Sequence, residues 1–312
     1  IILIFFGIAK ILDMFNGSQV STGKVISLVL AIILLAGSVS PVLPFSKNII
    51  PEAYAASFTA VTSGDWDNPA TWGGTVPLSS DSVTIPSGIT VTIPSGLTVT
   101  ISSGGIIWNS GTISNSGTIN ADHGTIVNLL GGTIDNSGTI IISWLIDNRS
   151  GGTITNSGTI TVNSGGSITN SGGTITSSGS ITNNDGGTIS SSGTITNSLG
   201  GTITSPGYFS NNGTIYNYGE FNISQSTQPI YNGGSIYNYN SGNFTNTRTL
   251  QNANLIDNSG TITNSGTIDN SGGTINNQCG AMYSGNAPTG HPVNNIACPP
   301  VNTVISDQPS CE

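Results

Sequence analysis

The chain has 312 residues and only 6% are charged, with 5 Lys and Arg against 14 Asp and Glu and a formal net charge of −9. A surface so poor in cations cannot neutralise a phosphate backbone, which excludes nucleic acid as a partner. The low charge would point to a weak fold, except that Ile recurs at fixed places among the Gly, Ser, Thr and Asn, and ordered low complexity is the better reading.

Two apolar stretches open the chain, 1–15 broken by Lys10 and 25–43 following Lys24. The first residue is not Met, and Met14 is read as the natural start of a secretory signal. A short lead ends in Lys24, the run VISLVLAIILLAG follows, and Ala53-Tyr54-Ala55 supplies a small-x-small site. Cleavage after Ala55 is expected, because Gly37, Pro41 and Pro44 weaken the end of the apolar helix. The alternative is an uncleaved anchor, since 25–43 approaches the ~20 residues that cross a bilayer, and membrane contact would then run through this segment alone. Either way residues 1–55 are set apart and the rest is expected outside the cytoplasm. After cleavage Arg149 and Arg248 are the fixed cations left against twelve carboxylates.

Residues 56–82 lead into the repeats. Trp66, Pro69, Thr71, Trp72, Gly73, Gly74, Pro77, Asp81, Val83, Ile85 and Pro86 form a W-x-x-P-x-T-W element that passes through a Gly-Pro turn into V-T-I-P. This stretch, roughly 35 of the 312 residues, resembles the opening of the glycine-eight domain and similar starts of bacterial and archaeal surface proteins. The resemblance implies an extracellular β-helical, adhesin-like surface protein whose tryptophans cover the first coil. Such a cap has a physical purpose, because an open solenoid end exposes strand edges and apolar side chains. From Val83 to Ile106 the units VTIPSGIT, VTIPSGLT and VTISSGGI alternate apolar and polar residues over eight positions, so the solenoid is expected to begin near Val83.

Between Gly111 and Ile275 the tripeptide Gly-Thr-Ile occurs fifteen times and Gly-Ser-Ile three times, usually introduced by Asn-Ser or a second Gly. No copy this short buries its own isoleucine, and only stacking on neighbours makes a core. Thr and Ile are β-branched and alternate with strand period, Ile on one side and Thr on the other. The NSG and GG links are expected to accept positive φ and turn the chain sharply. Three units add to 20 or 21 residues, and GTIYNY at Gly213–Tyr218 recurs as GSIYNY at Gly234–Tyr239, a displacement of 21. The expected fold is all-β, a parallel β-helix over 83–278 with three short strands and 20–21 residues per coil behind an N-terminal cap. A two-faced coil of 14 residues also fits intervals such as Ile140, Ile154 and Ile168. At ~4.8 Å per stacked strand, 101–277 would give about nine coils and ~40 Å of rod. The Asn before each turn can stack on its counterpart one coil away, its amide both giving and taking a hydrogen bond.

The tail 279–312 holds all three cysteines and many prolines. In an exported protein Cys279 and Cys298 are the natural pair, with Cys311 left over, and the chain is expected to continue beyond Glu312. No spacing resembles a zinc site and His291 stands alone, so neither metal nor cofactor is expected.

Many parallel β-helices cleave polysaccharides, work that needs paired carboxylates or Ca²⁺ with a base. The best acid–base cluster is Asp135, Asp147 and Arg149, with Asp122 and His123 one coil earlier. Yet Asp135 fills the variable outward slot that Asp269 fills elsewhere, and the repeats contain no Lys, so no catalysis is expected. The Ca²⁺-wrapping nonapeptide is absent and NNDGG at Asn183–Gly187 occurs once. Six tyrosines break the monotony: Tyr208, Tyr216, Tyr218, Tyr231, Tyr237 and Tyr239. By the alternation Tyr216, Tyr218, Tyr237 and Tyr239 face solvent in two successive coils, either as a binding face for surface glycans or other surface proteins, or as a self-stacking ladder that stiffens the rod. N-glycosylation sequons occur at Asn148, Asn212, Asn222 and Asn243. The expected function is an exported cell-surface stalk or adhesin-like protein. The alternatives are a carbohydrate-active enzyme on the same fold and a self-assembling filament that grows end to end.

Overall fold

The computed structural model describes residues 55–224 and 230–299. They form a β-solenoid of three parallel sheets, two of 12 strands and one of 10. Sheet A runs from Ser57–Thr59 to Thr289–Gly290, sheet B from Gly64–Asp65 to Asn294–Asn295, and sheet C from Thr98–Ile101 to Met282–Gly285. From Ser82–Ile85 onward consecutive strands visit A, B and C in rotation, so each strand pairs with the strand three places on. The register settles the number of faces. Ile140 lies beside Ile160, not Ile154, and Ile160 beside Ile181, steps of 20 and 21 residues.

The strand Thr133–Asn136 shows why the sequence coils. Thr133 and Asp135 face outward while Ile134 and Asn136 are buried. Two of the four side chains in this strand therefore enter the interior, one apolar and one amide. Ile134 has Ile113 on one side and Ile154 on the other, so one residue type piles up along the axis, each burial worth roughly 1.5–3 kcal/mol. Phe209, Phe221 and Phe244 take the same inward slot, and Phe221 lies 5.3 Å from each of the other two, centroid to centroid.

The buried Asn positions form ladders with a fixed polarity. Asn115 Nδ2 donates to Asn136 Oδ1 at 2.7 Å, and Asn136 Nδ2 donates to Asn156 Oδ1 at 2.7 Å. The same nitrogen also donates to a strand-opening carbonyl beyond the next corner, as Asn136 does to Thr159 O at 3.1 Å. A second ladder climbs from Asn109 through Asn128 and Asn148 to Asn170. Ser177, Ser191 and Ser205 substitute as acceptors through their hydroxyls. Because every donor points toward the C-terminal end, the first oxygen of a run faces whatever lies beneath it. Asn109, Asn115 and Asn183 have buried Oδ1 atoms without a partner, and the residues beneath them are Ile85, Ile93 and Val162.

The corners depart from expectation in one respect. Positive φ occurs in most Gly-Gly links, at Gly131, Gly151, Gly165, Gly172, Gly186 and Gly200, two of which follow Asn-Ser, but not at the glycine of two-residue Ser-Gly turns such as Gly138 and Gly158. There the requirement is space: a Cβ on Gly138 would overlap the carbonyl oxygen of Gly117, and one on Gly158 that of Gly138. These carbonyls accept from the next strand, Thr139 N to Gly117 O at 2.9 Å and Thr159 N to Gly138 O at 2.9 Å.

Pairing begins inside 56–82 and continues past 278. Phe58 lies beside Val83 and Gly64 beside Val91. Trp66 and Trp72 are buried and meet edge to face at 5.0 Å, and Trp72 Nε1 donates to Trp66 O at 2.7 Å. Pro69–Trp72 forms a short 3₁₀ turn capped by the Asn68 side chain. Buried Asp81 accepts from Ala56 N at 2.8 Å and Leu78 N at 2.6 Å, which ties the first strand down. At the other end Met282–Gly285, Thr289–Gly290 and Asn294–Asn295 extend the sheets by a further coil. Cys279 and Cys298 are disulfide-bonded across it, with Cα atoms 4.8 Å apart. The last amides of the three sheets, Asn264, Asn270 and Asn277, donate into this coil, to Tyr283 Oη, His291 O and Asn295 Oδ1. The secretory signal or anchor read over 1–55 lies outside the described residues except for its last position, and so does Cys311.

Candidate ligand-binding face

The six tyrosines divide between two faces. Tyr208 and Tyr231 belong to strands of sheet A, Tyr216 and Tyr237 point outward from sheet B, and Tyr218 and Tyr239 sit at the corner between B and C. Tyr216 and Tyr237 are in register, their rings stacked at 5.5 Å. Tyr218 and Tyr239 stack more closely, at 4.3 Å and 4° from parallel, while Tyr216 also leans on Tyr239 at 6.2 Å. The four rings make one half-buried block on two coils. Burial first, then hydrogen bonding with Tyr218 and the nearby phenols, pushes the Tyr239 hydroxyl above the ordinary phenol range. Thr196 flanks the block on one side of sheet B and Asp257 on the other, and Asp257 Oδ1 accepts from Gln278 Nε2 at 2.6 Å. Ring edges and hydroxyls, with a carboxylate one rung away, are thus offered outward together.

The acid–base cluster does not assemble. Asp135 belongs to sheet B, whereas Asp147 and Arg149 belong to sheet A. A whole strand of sheet C, Thr139–Ile142, lies between them in the chain, so nearness in sequence places them on different faces. Arg149 Nε donates to Asp147 Oδ2 at 2.8 Å, and Asp122 Oδ1 pairs with His123 Nδ1 at 2.8 Å at the corner between C and A. Among the described residues no group of three His, Cys, Asp or Glu side chains could hold a metal ion.

The sequons divide as well. Asn148 is 0% exposed and sits in a ladder, accepting from Asn128 Nδ2 and donating to Asn170 Oδ1, both at 2.8 Å. Its amide cannot carry a glycan in the folded protein, so this expectation is corrected. Asn212 and Asn243 are exposed, and Asn222 is half-buried on the outward side of sheet C.

Geometry and composition together define a repeat solenoid with a nearly ion-free exterior. The haemagglutinin repeat model matches residues 80–143, 145–198 and 214–278, more than half of the chain. The chain belongs to the haemagglutinin repeat family. No curated protein matches it. Among solved structures, a crystal structure of a TibC-catalysed hyper-glycosylated TibA fragment aligns with 75% of this chain and 96% of that one, at 20% identity and a TM-score of 0.21.

Proposed function

We propose that the protein is an exported, adhesin-like surface stalk that binds through the tyrosine block and performs no catalysis. The observation that carries the reading is the block itself: four half-buried rings stacked on two successive coils of a solenoid whose outward slots are mostly Thr, Ser and Asn. Aromatic rings with polar tips are suited to surface glycans or to a protein partner, because they give apolar area at low loss of side-chain freedom and keep a hydrogen-bonding group at the rim. Membership of the haemagglutinin repeat family supports the surface role. The separation of Asp135 from Asp147 supports the absence of turnover. A glycan array and a cell-adhesion assay on the full chain test the reading, with a Tyr218→Ser/Tyr239→Ser variant beside the parent. Loss of adhesion with the fold retained is expected. Unchanged adhesion accompanied by a lower Tm would leave the tyrosines as a stiffening ladder only, and cleavage of any polysaccharide in a reducing-end screen would overturn the non-catalytic role.

A further inference from the structure

We infer that the outer face of sheet A between Ile106 and Arg149 is a second binding site, built for a neutral hexopyranose unit of a glycan and independent of the tyrosine block. Outward slots here break the Thr/Ser rule on three successive coils, with Ile106 and Trp108, then Val127, then Leu145. Trp108, Val127 and Asp147 stand in register. Arg149 reaches back over two coils: its Nε holds Asp147, while its guanidinium carbon lies 6.0 Å from the Trp108 ring centroid. Val127, though on the outward side, is accordingly buried at 4% exposure. At the adjoining corner Trp144 occupies the place held by Gly124 in one neighbouring coil and Gly166 in the other. It is 51% exposed and stacks on His123 at 6.3 Å. His123 in turn has φ of 61°, the one positive φ among the described residues outside glycine. A non-glycine residue held there implies that the surroundings fix it, and such residues gather at ligand sites.

The chemistry selects the ligand. Indole faces receive the C–H face of a pyranose ring, and the remaining oxygens of Asp147 and Asp122 can accept from its hydroxyls. Arg149 supplies donors at the same rim. Asp147 is already neutralised by Arg149, while Asp122 is held by a hydrogen bond to His123, so the face has no excess of cations to favour an acidic sugar and suits an uncharged one.

The test titrates the full chain separately with hexasaccharides of β-glucose, α-mannose and β-galactose, following tryptophan fluorescence and calorimetry. Trp66 and Trp72 are buried, so a sugar-dependent change reports on Trp108 and Trp144. Binding of at least one probe is expected, weakened tenfold or more by Trp144→Ala and by Asp147→Asn, and unchanged by Tyr218→Ser/Tyr239→Ser. Trp144 is at the surface, so its truncation should leave Tm near the parent value. If Trp144→Ala nonetheless unfolds the chain, shielding of Trp144 from iodide quenching by the bound sugar in the parent protein decides instead. Failure of all three probes to bind, binding insensitive to both substitutions, or loss only in the tyrosine variant would each overturn the assignment.

Discussion

Asn136 illustrates how much one side chain carries inside this solenoid. Its Oδ1 takes a hydrogen bond from Asn115 and its Nδ2 gives one to Asn156, so truncation leaves a buried donor in one coil and a buried acceptor in another. Each unsatisfied group costs about 1–3 kcal/mol. Asn136→Ala is therefore expected to lower the urea midpoint clearly, and Asn136→Ser less, because Ser177 already serves as an acceptor one coil past Asn156; paired denaturation curves check the order. Tyr239 gives a pH-dependent effect. A phenol whose pKa is higher in the folded state stabilises the fold while it stays protonated; that contribution is whole below the unfolded value, about 10, and is lost as pH rises through the folded one. Stability of the parent should thus fall on the alkaline side, and Tyr239→Phe, which keeps the ring, should flatten the fall in thermal melts run across that range. The outward placement of Tyr216 and Tyr237 was legible in the sequence because strand alternation fixes which side a residue faces, whereas Tyr218 and Tyr239 lie at a corner that alternation does not govern. The Trp108–Arg149 contact was not, since it spans two coils and depends on a long side chain folding back.

The element that decides the fold is the corner. Two kinds exist, and they use glycine for different reasons. Gly138 is needed for closeness to the Gly117 carbonyl, whereas Gly165 has φ of +81° and open space around its missing Cβ. Gly165→Ala is expected to lose about 1–2 kcal/mol, the penalty for a left-handed residue. Gly138→Ala should lose more, because it also pushes apart the Thr139 N to Gly117 O bond; equilibrium unfolding in urea tests the difference. Corner length also explains why spacing alone left two and three faces both open. The turn Ser157-Gly158 has two residues and the turn from Asn163 to Gly166 has four, so intervals between isoleucines vary enough to mimic a 14-residue coil. The 21-residue return of the Tyr-Asn-Tyr motif was the more dependable signal, because Tyr216 and Tyr237 are neighbours in the sheet.

For the solenoid as a whole, cohesion runs along the axis through apolar stacks and amide ladders and owes little to ions. The Arg149–Asp147 ion pair and the His123–Asp122 contact both lie at the surface, where such pairs contribute little. Each end is closed differently, the first by Trp66, Trp72 and Asp81, the last by Tyr283, Val293 and the Cys279–Cys298 bond. The sequence marked the first closure through its tryptophans. The added C-terminal coil escaped it because Met282–Gly285, Thr289–Gly290 and Asn294–Asn295 lack the Gly-Thr-Ile signature, and only the sheet edges offered by earlier coils recruit them.

Register makes this molecule a ruler with discrete graduations. Thr153 lies beside Thr174, Thr159 beside Ser180 and Ser167 beside Thr188, a common step of 21 on all three faces. Excising 153–173 would therefore join Gly152 to Thr174 with each face still in phase, giving a folded protein shorter by ~4.8 Å, whereas excising 153–162 would bring the corner residues 163–166 to where the strand Thr153–Asn156 had been and break the rotation of the faces. Circular dichroism and small-angle scattering on the two deletions check this, and melting of the first or survival of the second would contradict it. The length of the solenoid could then be adjusted one notch at a time by duplication or loss of coils, without redesigning either tip.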